Sequence, residues 1–483
     1  MAKRALVWMC LLVSWLHAQS ALEQAARLEQ AGNLMQAQEL LGQAAARPGI
    51  AESEKSQWLF AVERLRRLPL DYALTREKLA AQLTAGIEDF DISEIDAWEK
   101  SGRLDFRLIE GAKYYHASSR SNLFFRYPDL KARRLHPEDD SEFERNILAY
   151  CRQVKAAGEK TRDLYVLPTR FRATLHLQVP PDAVPAGETV RCWLPYPRAY
   201  PFQTDIELIE AAPAVAWIAQ PLSDSRALYL EQQARSGQPV DFSVQFEYTS
   251  WATCSDVDPR EVKPCDESSG LYRHYTAEKA PHVLFTPELR KLAGEITAGE
   301  KNPYLKARKI YDWVTANLVY SYMIEYSLID NLSMFAYKNR YGDCGVQGFL
   351  FITLCRIAGV PARWQGCWMF FPGEKTIHDW AEIYVEPYGW LPVDPYEGGW
   401  AVHEITSLPQ TERTFLRDFY FGNMTAWRMA ANADFGAPLY PQKTHFRSDR
   451  VDFQRGEVEW DGGNLYFNER SFTWKVEPVD GNK

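Results

Sequence analysis

The sequence predicts an α+β protein in which a helical N-terminal region, a β-sandwich and a mixed helix–strand core follow one another. Three observations carry this. Apolar residues recur at helical spacing between Leu22 and Leu65, and they alternate with period two over 171–179 and 240–248. After Tyr341 a helical pattern is followed closely by two strand patterns. The chain has 483 residues, 46% hydrophobic and 25% charged, ordinary values for a folded chain of about three domains. Lys and Arg number 55 against 64 Asp and Glu, a net charge of −9. An acidic chain without a long basic run is a poor binder of phosphate backbones, so no nucleic-acid partner is expected.

Residues 1–18 read as a signal peptide. Lys3 and Arg4 open it, an apolar run over 5–16 follows, and Ala18 is a small residue for cleavage. The product is expected to be periplasmic or secreted. The run is too short to span a bilayer and no later one is longer, so no transmembrane segment is expected after its removal. Without Cys10 seven cysteines remain: Cys151, Cys192, Cys254, Cys265, Cys344, Cys355 and Cys367. Cys254 and Cys265 bracket a polar Asp/Pro-rich loop and are the natural disulfide candidates.

The region 19–152 is read as helical. Leu22, Ala25 and Leu28, then Ala37, Leu40, Leu41 and Ala44, mark two helices separated by Gly32-Asn33. Pro48-Gly49 closes the second, and Trp58, Val62 and Leu65 begin a third. This resembles one helix-turn-helix unit of tetratricopeptide-like repeats; one unit does not make an array. The polar, weakly patterned stretch 155–162 is expected to be a boundary. In the β-sandwich, 163–255, Phe171, Ala173, Leu175, Leu177 and Val179 alternate with polar residues, as do Val240, Phe242, Val244, Phe246 and Tyr248. His176 falls on the polar face and is given a surface role. The core is placed at 270–435, with 306–317 an amphipathic helix turning Ile310, Trp313 and Val314 inward. A C-terminal β-strand extension is expected at 440–483.

The chemistry concentrates in the core. Gly342-Asp343-Cys344-Gly345 precedes Val346, Phe349, Leu350, Thr353 and Ile357 at helical spacing, and Gly359-Val360-Pro361 ends that helix. Cys344 therefore stands at a helix N-terminus, where free amides and the macrodipole favour a thiolate and could hold an oxyanion. Taken alone, a cysteine so placed reads rather as a buried, inert thiol until partners are found. They follow in His378-Asp379-Trp380-Ala381-Glu382-Ile383-Tyr384-Val385 and Gly389-Trp390-Leu391-Pro392-Val393-Asp394-Pro395. Two antiparallel strands joined around Pro387–Gly389 would set His378 beside Asp394. A cysteine packed on that sheet could reach the imidazole, giving nucleophile, base and orienter.

These blocks, with Arg356-Ile357-Ala358-Gly359-Val360-Pro361-Ala362-Arg363, resemble the transglutaminase-like superfamily in its bacterial exported form. The resemblance covers about 270–400, and Arg191-Cys192-Trp193-Leu194-Pro195-Tyr196-Pro197 looks like the domain that often precedes such cores. It implies a papain-like core with Cys344 as nucleophile, His378 as base and Asp394 as orienter. The family completes its oxyanion hole with an upstream aromatic or amide side chain, for which Trp313, Tyr320 and Tyr341 are candidates. The implied activity is cleavage or transfer of amide bonds through a cysteinyl thioester, by a peptidase/amidase or a transglutaminase-type acyltransferase. Hydrolysis is favoured over cross-linking, with a protein, peptide or glycopeptide substrate. The alternative is a non-catalytic protein- or glycan-binding protein on the same fold, for which 16 Trp, 25 Tyr and 24 Phe supply contact surface.

Other conspicuous residues are read as structural. Trp380 and Trp390 are expected to pack, and Arg363, Asp379 and Glu382 to hydrogen-bond within the fold. Asn423, Arg428, Asn432 and Asp434 are assigned to turns and caps rather than to the cleft. His403 and His445 have no partner legible in the sequence. Cys344, Cys355, Cys367 and His378 are spaced 11, 12 and 11 apart, without the short pair zinc sites use. Cys344 and Cys355 would stand about 16 Å apart on one straight helix, too far to share an ion. Cys355 and Cys367 are read as buried thiols, with a disulfide between them left open. No calcium loop of the Asp-x-Asp-x-Asp-Gly kind is present, and neither a metal nor any other cofactor is expected.

Overall fold

The computed structural model describes residues 21–479, so the expected signal peptide lies outside the described residues. The chain divides into two compact units. One holds residues up to Pro137 together with Tyr322–Leu328, and the other holds Glu138–Ser321 and the chain from Ile329 onward.

In the smaller unit, a helix over 21–30 and those at Leu34–Ala45 and Glu52–Asp71 bury Ala25, Leu34, Ala37, Leu41, Trp58 and Leu65. The helical reading fails at 106–115, which is an antiparallel hairpin, Phe106–Ile109 on Ala112–Tyr115. Its two-residue turn, Glu110-Gly111, has both φ angles positive (46° and 82°), the geometry that tight hairpins select. Ile324 and Leu328 of the returning segment join the apolar core of this unit. The Asn122 side chain accepts from Tyr322 N–H at 2.8 Å and donates to Tyr322 C=O at 3.0 Å.

The larger unit opens with helix α1 (Ser141–Thr161) and strands β1 (Tyr165–Val179), β2 (Thr189–Pro195), β3 (Gln203–Ala212), β4 (Trp217–Ile218), β5 (Ala227–Gln233) and β6 (Val240–Cys254). Helices α2 (Pro287–Ile296), α3 (Pro303–Asn317), α4 (Leu332–Asn339) and α5 (Cys344–Ile357) lead to β7 (Ala362–Met369), β8 (Thr376–Val385) and β9 (Gly389–Val393). Then come α6 (Pro395–His403), α7 (Gln410–Phe419), β10 (Asn423–Met424), β11 (Arg428–Ala430), β12 (Glu457–Trp460), β13 (Gly463–Asn464) and β14 (Ser471–Pro478). The stretch 155–162 is thus no linker; all but its last residue lie in α1. Its pattern is weak because Gly158 is itself a buried position, where a Cβ would collide with Cys254 Sγ.

Two five-stranded sheets, in orders β10-β6-β1-β14 (with β3 also on β6) and β13-β12-β2-β5-β4, share one apolar core. Phe171, Leu175, Leu177, Leu194, Leu230, Phe242 and Phe246 are all fully buried there, each contributing about 1.5–3 kcal/mol by leaving water. The strands beyond 440 complete these sheets instead of extending from them: β14 pairs with β1 and β12 with β2. His176 pairs with Asp241 at 3.0 Å on the outer face.

A four-stranded antiparallel sheet, β9-β8-β7-β11, carries α5 on one side. That helix is buried continuously from Gly345 to Arg356, with α2, α3, α4 and α6 packed around it. In α3 the inward positions are Ile310, Tyr311 and Val314; Trp313 lies half-buried with Arg340 over its ring at 4.6 Å. The seven cysteines described are free thiols. Cys254 packs under Gly158, whereas Cys265 faces the Tyr384 carbonyl at 3.8 Å, so the expected bridge is not formed.

Candidate active site

Cys344 is the first residue of α5. Asp343 caps the helix, its carboxylate accepting from Val346 N–H at 3.1 Å, and the helix stops at Gly359, which has φ +77°. Gly342 is required before the cap, since a Cβ there would strike the Val346 side chain. The register Ala381↔Val393 sets the end of β9 against the middle of β8, three residues past His378. Asp394 follows β9 directly and caps α6 through Oδ1, which accepts from Glu397 N–H at 3.0 Å. Its other oxygen, Oδ2, lies 2.7 Å from His378 Nε2. Because an ionised carboxylate only accepts, Nε2 carries the hydrogen and Nδ1 is left for another partner. His378 is 1% exposed and Asp394 0%, while Cys344 is half-buried. The Asp379 backbone, one residue past His378, pulls the Cys344 thiol down, though burial outweighs it.

Residues assigned to turns and packing also converge here. Arg428 Nη1 donates to Asp394 Oδ2 at 2.6 Å, and the guanidinium lies over the rings of Trp380 (5.2 Å) and Tyr420 (5.8 Å). Trp380, tied to Gln365 at 2.6 Å, stacks on the His378 ring at 6.0 Å. Tyr396 meets that ring edge-on at 5.6 Å, and Tyr320 lies 5.1 Å from Tyr396. A parallel bridge between Val319 and Tyr341 holds Tyr320 beside the loop that delivers Cys344. Of the other aromatic candidates, Trp313 is taken by Arg340 and Tyr341 packs on Phe335. Arg363 pairs with Glu382 at 2.6 Å, and His403 with Thr315 C=O at 2.8 Å.

The electrostatics differ from the helix-dipole expectation for Cys344. Burial, then the Asp379 and Asp343 carboxylates, push its thiol well above the usual range. The loss of water around the sulfur outweighs the dipole of α5. His378 is lowered, burial and Arg428 outweighing the pull of Asp394. Burial works to raise Asp394, yet His378 and Arg428 hold it at about 2. Glu397 is pushed up to about 8 by burial and by the charge of Asp394. Asp379 is raised by burial and by its hydrogen-bonded neighbour Asp452, a carboxyl pair that must share a proton. Donor atoms of His378, Asp394 and Glu397 lie within 4.8 Å of one another, but the Asp394 oxygens are already engaged by His378, Arg428 and Glu397 N–H.

Residues 290–395 match the family model of the transglutaminase-like superfamily, a span that includes Cys344, His378 and Asp394. Residues 290–395 are thus similar to a transglutaminase-like core. Over 129 residues it is 24% identical to the Bacillus subtilis (strain 168) protein YebA, described as uncharacterized. That match covers 23% of this chain and 17% of YebA, so the chain spans about a sixth of the length of this curated relative. Among solved structures, a Cytophaga hutchinsonii protein whose description proposes a cysteine protease is similar with TM-score 0.43 and 17% identity, over 66% of this chain and 93% of that one. The periplasmic domain of TgpA from Pseudomonas aeruginosa gives TM-score 0.24 and 16% identity, over 50% and 90%. No helix among the described residues is long and apolar enough to cross a membrane.

Proposed function

We propose that the protein is an exported thiol enzyme that cleaves or transfers amide bonds of a protein, peptide or glycopeptide through a cysteinyl thioester. The observation that carries this reading is the buried His378–Asp394 pair at 2.7 Å, on a strand against which the helix beginning at Cys344 packs. In the reaction, His378 Nδ1 takes the Cys344 proton as the sulfur attacks the amide carbonyl. The Cys344 backbone N–H at the start of α5, with Tyr320, faces the oxyanion. Collapse breaks the C–N bond, and His378 returns its proton to the departing nitrogen. Water or a second amine then attacks the thioester, His378 takes its proton, and the thiol is regenerated. Asp394 holds Nε2 throughout. Hydrolysis is preferred over cross-linking, on the resemblance to exported bacterial members.

The test is iodoacetamide labelling of Cys344 between pH 4 and 9, read by peptide mass spectrometry on wild type, His378→Ala and Asp394→Asn. Labelling of wild type that is lost in His378→Ala supports an assembled nucleophile–base pair. A labelling rate and pH profile identical in all three overturns it and favours a binding protein.

A further inference from the structure

Arg428 is placed at a cost that packing does not explain. It is 4% exposed, its Nη1 reaches Asp394, and its Nε and Nη2 have no protein partner. A buried guanidinium with donors unused destabilises a fold, and an apolar side chain of similar size would usually serve stability better. Its one hydrogen-bond acceptor is the oxygen that also holds His378. Local rules of burial are broken in this way where a site requires it.

We infer that Arg428 is a positioning residue of the catalytic pair, sharing Asp394 Oδ2 with His378 so that the imidazole faces a neutralised carboxylate and rests uncharged. This deepens the proposed acyl transfer and rests on it for its meaning, though not for its measurement. An imidazole hydrogen-bonded to a bare buried carboxylate is drawn toward the imidazolium form. With Arg428 on the same oxygen the pair is electrically closed, and His378 remains a base able to accept a proton. The resting couple is then a neutral thiol beside a neutral imidazole, and proton transfer accompanies attack.

The surroundings of His378 support this assignment. α5 brings Cys344 and Asp343, and the histidine's own strand brings Asp379, whose charge is reduced by the proton it shares with Asp452. α6 brings the Tyr396 ring and Glu397, which is protonated below about pH 8. β7 places Cys367, a buried thiol, opposite His378. The turn before β8 carries Glu374, itself raised by burial. Asp394 and Arg428 are the two charged groups that act on the imidazole.

The experiment is an NMR titration of the His378 ring in the full chain, with the signal assigned against His378→Gln. In wild type, His378 should titrate below the ordinary value of about 6.5. In Arg428→Met the midpoint should rise by on the order of one unit, and Arg428→Lys should keep it near wild type. A wild-type midpoint at or above about 6.5 overturns the proposal, as does a folded Arg428→Met that leaves it unmoved. A role in stability alone would lower the melting temperature without moving the midpoint. Should Arg428→Met fail to fold, Arg428→Gln, which keeps an amide donor but not the charge, should raise the midpoint in the same direction, and an unmoved midpoint in it overturns the proposal. Because the ring is read whether or not substrate is turned over, failure of the acyl-transfer reading stays separate from failure of this one.

Discussion

Gln454 donates from its side-chain amide to the backbone carbonyl of His378 at 3.2 Å, across 76 positions of sequence. The same nitrogen reaches Asp379 Oδ1 at 2.5 Å. A residue from the C-terminal part of the chain therefore braces the strand that carries the proposed base.

Gln454→Leu should accordingly leave a buried carbonyl and one oxygen of the Asp379–Asp452 pair without this donor, at a cost of about 1–3 kcal/mol. The expected result is a lower denaturation midpoint with unchanged m-value and a smaller fall in kcat. Urea unfolding alongside turnover checks both; an unchanged midpoint would show that the brace is idle.

The pH dependence of stability follows from the two capped carboxyls of α6. Glu397 is raised, to about 8, so the folded state holds its proton while the unfolded chain releases it near 4.3. Its contribution is complete below the unfolded value and is lost as pH rises toward 8. Asp394 has the opposite sign. Held at about 2, it contributes above the unfolded value near 3.9 and loses that contribution as pH falls toward 2. Glu397→Gln should flatten the decline between about pH 4.5 and 8 while keeping the acid limb below pH 4. Guanidinium midpoints across pH 2.5–8.5 would be diagnostic, and a slope unaltered in Glu397→Gln would refute the assignment.

Tyr320 is the upstream aromatic that the structure leaves beside the loop delivering Cys344, one ring contact from Tyr396. Tyr320→Phe keeps the ring and removes the hydroxyl. Loss of one oxyanion donor typically lowers kcat by about 10²–10³-fold, and that loss is expected here with KM little changed. Pre-steady-state acylation with an activated ester or amide would read it; a wild-type acylation rate would return the role to the backbone alone.

Much of the site was legible because its parts are local. Gly342-Asp343-Cys344 reads as a helix start from the cap and periodicity alone, and the strands bearing His378 and leading to Asp394 are joined by a short turn, so sequence order gives spatial order. Arg428 was not legible as part of the site. It belongs to a three-residue strand whose partner, β7, is fixed by tertiary pairing, and no periodicity reports which sheet a short strand joins. The available signal was a charge set among Trp427, Met429, Ala430 and Ala431, a run that has to be buried and so needs a carboxylate. Gln454 and Asp452 were hidden for the same reason. The raised thiol of Cys344 was missed because desolvation depends on what α5 packs beneath, which spacing along the chain does not record.

The pairing of β14 with β1 has a consequence for biosynthesis. Nearly the whole transglutaminase-like core is translated after β1 and before the strand that completes β1's sheet, and the Gln454 brace emerges only shortly before that strand. A chain leaving the ribosome N-terminus first therefore carries Cys344, His378 and Asp394 well before the architecture that holds them. Long-range closure of this kind tends to slow folding. Gln454 reaches the His378 carbonyl only after nearly all of the chain has been made, so the bracing of the strand that carries His378 is among the last contacts a growing chain can form.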